Sequence, residues 1–399
     1  MTDPASTTPA TPAATAAATT TTGAALSESA TPVIPSPPGS RTLRDIAAVA
    51  GVHHSTLSRA LRGHPRISAA RTAELRALAK QMGYVPDPVL GALMAYRTSR
   101  RPAAFHATIA WLNPSRKRAD WRVYRAYNDY FEGASARARQ LGFQLEEIIL
   151  PTTTTITAAA GGRAGGRENE SPQVRQDRVT SMLETRNIHA IIVGPAPVAG
   201  MVLDLIDWVR FSAIRIGYSL ASPRLHIVTA NHSRAMTSLM RELRARGYRR
   251  PGLFIMEVLD ERIGRQWSGA FLREQLDWPR EDRLELSFHE TFTERVLMDW
   301  VKSQRPDVIV GMGDERIAAI LHRNGWRIPE DIGLVVLAQP NRGAAITGIV
   351  EHNEEVGMTA VDMVVAMVNR QERGTPVTPQ TVLIENGWRE GGTLRLKHG

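Results

Sequence analysis

Between residues 43 and 82 the apolar positions recur at helical spacing in three short blocks. Leu43, Ile46, Ala47 and Ala50 fall at i, i+3, i+4 and i+7, one buried stripe on a helix that Thr42 caps and Asp45 charges favourably. Gly51 is free to take the positive φ of a tight turn. A second helix from about His54 to Leu61 buries Leu57 and Leu61. A third, capped by Ser68, turns Leu75, Leu78, Ala79 and Met82 inward and stops at Gly83. Two short helices across a glycine turn, braced by a third, make a helix-turn-helix.

From His106 onward the pattern changes to short apolar runs alternating with helical stripes. Strands are expected at Ala107–Leu112, Gln144–Leu150, Ala190–Val193, Ala213–Ile216, Gly252–Ile255, Val308–Gly311 and Gly333–Leu337. Helices are expected at Arg122–Leu141, Val174–Arg186, Ser233–Arg246, Thr291–Gln304 and Asp314–Asn324, several ending at a C-capping glycine. Such alternation implies parallel sheets built from βαβ units, and the length favours two similar α/β lobes over one sheet. The expected fold is a small all-α helix-turn-helix head plus an α/β body of two Rossmann-like lobes.

Composition sets the boundaries. Thirty-two of the first forty residues are Thr, Ala, Pro or Ser. Residues 1–40 therefore read as a disordered tail with too little apolar surface to offset ordering. The head is 41–86, a linker 87–104 and the body 105–390, with Thr/Gly-rich residues 151–172 as a flexible insert that includes Arg163 and Arg167. The chain has no cysteine, so disulfides and thiolate chemistry are excluded. Its longest apolar stretch, Ala190 to Leu203, is interrupted by Gly194, Pro195, Pro197 and Gly200, and no signal peptide is evident; a cytoplasmic protein is expected.

Charge is concentrated. Residues 41–101 carry eleven Arg or Lys against three acids, nearly all of the chain's net +9. A basic patch confined to one small module is the footprint of a nucleic-acid binder. With its apolar side turned inward, the second helix presents His54, Ser55, Ser58 and Arg59. His54 and Ser55 sit at its N-terminus, where base edges are read, and Arg59 offers a fork suited to guanine O6 and N7. Thr42, His53, Thr56 and Ser58 are placed for phosphates. An ordinary solvated helix face is the competing reading, and the charge concentration weighs against it.

Residues 42–61 read T-L-x-D-I-A-x-x-A-G-V-x-x-S-T-L-S-R-A-L, and I-S-x-x-x-x-x-x-L-x-x-x-A-K-x-M-G-Y-x-P-D follows from Ile67. This resembles the lactose/galactose-repressor (LacI-type) family of bacterial transcription regulators. The resemblance implies that His54, Ser55 and Arg59 read bases in the major groove. It also implies a hinge after Asp87 whose Leu93 wedges into the minor groove, although Pro88 and Gly91 are poor helix formers. The body then resembles periplasmic-binding-protein-type effector domains, with the chain crossing between lobes near Ala230, near Val350 and again near Gln371–Pro379. Trp121, Tyr127, Arg262 or Arg265, and Asp314 are the implied effector contacts, and Trp111, Tyr124 and Tyr130 are further aromatics near the first βα connection. Ala338 and Gln339 stand where many sugar-responsive members have Asp, which removes a strong acceptor for sugar hydroxyls.

The function implied is that of a homodimeric, sequence-specific DNA-binding regulator, a repressor, binding a near-palindromic double-stranded operator and a small-molecule effector of carbohydrate type. No cofactor, metal or catalytic role is expected: Gly311-Met312-Gly313 lacks the third glycine of a dinucleotide fingerprint, and no Walker A, G-x-S-x-G or H-E-x-x-H occurs. The alternative is a small-molecule-binding receptor without a regulatory DNA role.

Overall fold

The computed structural model describes residues 43–61, 67–82, 107–114, 124–150, 171–312, 315–339 and 345–395. They belong to two compact units that divide between Pro86 and Asp87. The first unit contains α1 (Leu43–Val49), α2 (His54–Leu61) and α3 (Ala69–Gln81). They close on a core of Ile46, Ala47, Leu57, Ala60, Leu75 and Ala79. One detail departs from the sequence reading. Ala60 is fully buried and Leu61 only half-buried, because the stripe through Leu57 leans towards i+3 and the small residue takes the closest contact.

The turn after α1 is a Schellman motif. The Val52 N–H donates to the Ala47 carbonyl at 3.0 Å and the Gly51 N–H to the Ala48 carbonyl at 3.3 Å, with Gly51 at φ 62°. Arg71 and Arg76 on α3 donate to the carbonyls of Ala50 (3.2 Å) and Leu61 (3.3 Å), satisfying acceptors that the ends of α1 and α2 leave unpaired. The Ser68 hydroxyl accepts from the Arg71 N–H at 3.3 Å, as its capping position predicts.

The second unit has two α/β lobes. The chain builds the first with β1 (Ala107–Asn113), α4 (Arg125–Gln140), β2 (Phe143–Ile149), α5 (Pro172–Thr185), β3 (Ile188–Val193), β4 (Met201–Val202), β5 (Ser212–Ile216), β6 (Leu220–Ser222) and β7 (His226–Ala230). It then crosses to α6 (His232–Ala245), β8 (Pro251–Met256), α7 (Glu257–Arg262), α8 (Gln266–Gln275), β9 (Ser287–His289), α9 (Glu294–Gln304), β10 (Val308–Met312), α10 (Arg316–Arg323), β11 (Gly333–Gln339) and β12 (Thr347–Val350). The helix α11 (Asn353–Arg370) returns to the first lobe, β13 (Thr381–Ile384) joins its sheet, and β14 (Gly387–Arg389) ends in the second.

The first sheet runs β13-β7-β5-β3-β1-β2 and is wholly parallel; the second runs β14-β12-β11-β10-β8-β9, antiparallel only at β12–β14. Helices cover both faces of each, so the central strands are apolar throughout, as in Ile309 and Val310 or Ile191 and Ile192. The seven expected strands and five expected helices lie where their patterns put them, shifted by a few residues at the ends. The third crossing does not. Residues 371–374 stay with the first lobe, where the Gly374 N–H donates to the Phe211 carbonyl, and the chain crosses at Glu385–Asn386 between β13 and β14. Pro and Gly mark a turn there, and a turn is not a change of lobe.

α4 and α11 cross at two glycines. A Cβ on Gly133 would lie 2.1 Å from the Glu354 carbonyl oxygen, and one on Gly357 2.0 Å from that of Tyr130. Backbone rests on backbone there. Among the described residues no helix is long and apolar enough to cross a membrane. The expected tail, the linker with Leu93, residues 151–170 of the expected insert, Thr42, Trp121 and Asp314 lie outside the described residues.

Candidate nucleic-acid interface and effector cleft

α2 begins with an unusual cap. The His53 carbonyl accepts from the N–H groups of Thr56 (2.9 Å) and Leu57 (3.2 Å), while its Nδ1 faces the Ser55 N–H at 3.4 Å and the Ser55 hydroxyl at 2.8 Å. The imidazole thus fills the place usually taken by a Ser, Thr or Asp oxygen. His53 and Ser55 are therefore drawn together, and the His54 ring lies against His53 at 4.2 Å between centroids. His53, His54 and Arg59 are exposed; Ser55, Thr56 and Ser58 are half-buried on the flank. Leu57 and Ala60 anchor the opposite face, so the helix is held firmly while Arg59 projects into solvent.

In the body, all three crossings leave from carboxyl ends of strands: Ala230, Val350 and Ile384. The carboxyl ends of the parallel strands of both sheets thus face one another across a cleft, the place where open α/β sheets take ligands. The crossings are fastened together. Asn231 donates from Nδ2 to Glu385 Oε1 at 3.0 Å and accepts on its carbonyl from Asn386 Nδ2 at 3.0 Å. His232 Nε2 lies 3.1 Å from Glu351 Oε1, both nearly inaccessible, with the imidazole edge-on to Trp267 at 4.9 Å. The Glu351 charge, after burial itself, raises the Tyr130 phenol well above its ordinary value. None of His232, Glu351, Asn231 or Asn386 stood out in the sequence, because their partners are more than a hundred residues away.

The two lobes also meet at Arg262, at the end of α7. Its guanidinium carbon lies 4.9 Å from the Tyr124 ring centroid and 5.1 Å from that of Tyr127, both on the entry to α4 in the other lobe. Tyr127 is buried and stacks on Tyr130 at 6.1 Å, whereas Tyr124 is 43% exposed. Arg262 itself is 7% exposed. Burial, opposed by a hydrogen bond and the field of the Tyr124 phenol, lowers its pKa. Arg265 is placed differently: left-handed at φ 59°, largely exposed, and paired with Glu261 at 2.7 Å. Trp111 belongs to the core of the first lobe, edge-on to Phe131. At the end of β11, Ala338 takes φ 54° where the register with β12 breaks, a strained conformation worth about 1–2 kcal/mol of the kind that gathers at ligand sites.

A trihelical module with an exposed basic face is joined to a two-lobed binding domain, which defines a DNA-binding protein with a ligand-binding body. Residues 42–87 match the model of the bacterial regulatory proteins of the lacI family, and residues 240–394 that of the periplasmic binding protein-like domain. The chain has the DNA-binding domain of lacI-family regulators and the periplasmic-binding-protein-like domain that accompanies it. Among solved structures it is similar to the transcriptional regulator CelR in complex with cellobiose (17% identity, 88% of this chain and 99% of that one, TM-score 0.51). It is similar as well to the lac repressor dimer bound to operator and the anti-inducer ONPF (15%, 90% and 100%, 0.52). A LacI-family regulator from Rhizobium etli matches with 15% identity over 72% of this chain and 99% of that one, TM-score 0.53. At these identities the likeness is one of fold. No curated protein sequence matches the chain.

Proposed function

We propose that the protein is a cytoplasmic homodimeric repressor that binds a near-palindromic operator and is controlled by a small-molecule effector, of carbohydrate type, held between the lobes of its body. The observation that carries this reading is α2: Leu57 and Ala60 lock one face into the head, leaving His54 and Arg59 exposed on a module that concentrates the chain's positive charge. Arg59 reads guanine and His54 and Ser55 read the neighbouring base edges, with Ser55 held in position by His53. Thr42, His53, Thr56 and Ser58 hold phosphates, and Leu93 enters the minor groove. Two copies would place two recognition helices one helical turn or a multiple apart on a two-fold site. The lac repressor, similar in fold, is a dimer on its operator, and CelR binds cellobiose, which supports both parts of the reading.

Effector binding would shift the balance between two arrangements of the lobes, since a ligand moves an equilibrium only by binding one state better. The reading assigns no catalytic step, metal or cofactor. Selection of bound fragments from sheared genomic DNA tests it: enrichment of one near-palindromic motif by the full chain is expected. Recovery of fragments at random, at moderate ionic strength and against competitor DNA, would refute it.

A further inference from the structure

Arg262 is a buried cation with no carboxylate paired to it among the described residues. Its Nε is inaccessible to solvent and has no hydrogen-bond partner among the described residues. The acids beside it in the chain are engaged elsewhere: both carboxylate oxygens of Asp260 are taken by Ser268, through its N–H and its hydroxyl, and Glu261 pairs with Arg265. What Arg262 does have is two tyrosine rings and the Tyr124 hydroxyl. A guanidinium cannot shed its proton at any pH the protein meets, so burial does not neutralise it. Buried charges are as a rule paired, and cation–π contacts with two rings recover only part of the lost hydration.

The neighbouring chemistry points the same way. Ala338 near the end of β11, Ala230 at the end of β7 and Gly217 after β5 offer methyl groups and backbone, and the carboxylates that follow β12 and β13, Glu351 and Glu385, are taken by His232 and Asn231. Tyr124, 43% exposed where Tyr127 is buried, is the ring that would make way for a ligand.

We infer that the effector carries an anionic group, a carboxylate or a phosphate, that binds Arg262. This rests on the cleft being the effector site. The planar fork would accept an oxyanion on Nε–H and a neighbouring Nη–H together, and Tyr124 and Tyr127 would flank the rest of the molecule.

The test uses matched pairs on the full chain by titration calorimetry: D-glucose against D-gluconate and D-glucose 6-phosphate, and D-galactose against D-galacturonate. At least one anion should bind tenfold or more tightly than its neutral counterpart, and more weakly as sodium chloride is raised. Arg262→Gln should abolish that preference and Arg262→Lys should keep part of it. The carboxylate and phosphate arms separate the two sources of charge. Should Arg262→Gln fail to fold, the salt dependence in the unaltered chain decides: salt-independent binding overturns the inference. Neutral sugars binding equally to both proteins would overturn it while leaving the cleft as the effector site. No binding by any member would overturn both.

Discussion

Gly357→Ala is the sharpest structural test, because the added atom meets backbone that no rotamer change can clear. Its Cβ would sit 2.0 Å from the Tyr130 carbonyl oxygen and 2.8 Å from the Ala134 nitrogen. Ordinary contact requires more than 3 Å, so α4 and α11 must part by roughly 1 Å or tilt. A radial gap of about that size forfeits a quarter to a half of each dispersion contact along the seam. The seam is long: Val356, Ala360, Val361, Val364 and Met367 on α11 share one core with Tyr130, Ala134 and Ala138 on α4. Overpacking of this kind costs about 3 kcal/mol, at the upper end of its usual range. Gly133→Ala should cost a similar amount against Glu354, and the double variant distinctly less than the sum, since helices already parted have room for the second methyl. Urea denaturation followed by far-UV circular dichroism measures all three. Wild-type midpoints for either single variant would refute the backbone contact, and strict additivity would refute the common seam.

Other outcomes are equally definite. Arg59→Ala should weaken operator binding by about 1–3 kcal/mol and relax preference at one base position, read from the selected-site motif; an unchanged motif would remove Arg59 from base reading. His232→Phe keeps a ring against Trp267 but leaves Glu351 buried without its 3.1 Å partner, costing about 3 kcal/mol in chemical denaturation. Adding Glu351→Leu should recover much of that loss, whereas a further fall would show the pair not to be coupled in this way. Burial lowers the pKa values of His189, His226 and His289 in the folded chain, so the unfolded state takes up protons first on acidification. Their contribution is complete above the unfolded value near 6.5 and is lost as pH falls through it towards the folded values. A melting temperature that rose between pH 7 and pH 5.5 would contradict this.

The head was legible almost to the residue because its information is local. Ser68 caps, Gly51 turns and the Leu57 stripe buries within spans of a few residues, and helix propensity, charge and capping agree there. Most central strands were legible for a related reason: a run such as Ile188–Val193, buried on both faces, is apolar whatever surrounds it, although β7 and β12, also inside their sheets, were not expected. β9, β13 and β14 were not. They are three or four residues long at the sheet edges, with alternating or exposed positions such as Thr381 and Leu383, and their strand character comes from the neighbour they pair with. Of α11 only the start was legible, in the acidic first turn at Glu354 and Glu355; its extent was not, since Val361, Val364, Val365 and Val368 give it a strand-like composition. Arg262 and Arg265 were indistinguishable three residues apart. Only the left-handed backbone at Arg265 sends one into the lobe contact and the other into solvent.

The same geometry says where control of the lobes can reside. Three crossings bound to one another through Asn231, Asn386, Glu385, His232 and Glu351 form a stiff hinge, since opening any one breaks hydrogen bonds in another. A hinge of that kind sets the axis of closure and leaves its extent to contacts farther out. Arg262 with Tyr124 and Tyr127 is such a contact, joining α7 of one lobe to the entry of α4 in the other. Its strength depends on what shares the guanidinium, whereas the asparagine bonds join the crossings to one another and do not involve that group. If the effector binds Arg262 as inferred above, a ligand that competes with Tyr124 would act on this contact rather than on the hinge, and α4, which begins beside Tyr124 and crosses α11 at Gly133, would be the element to carry a displacement away from the cleft.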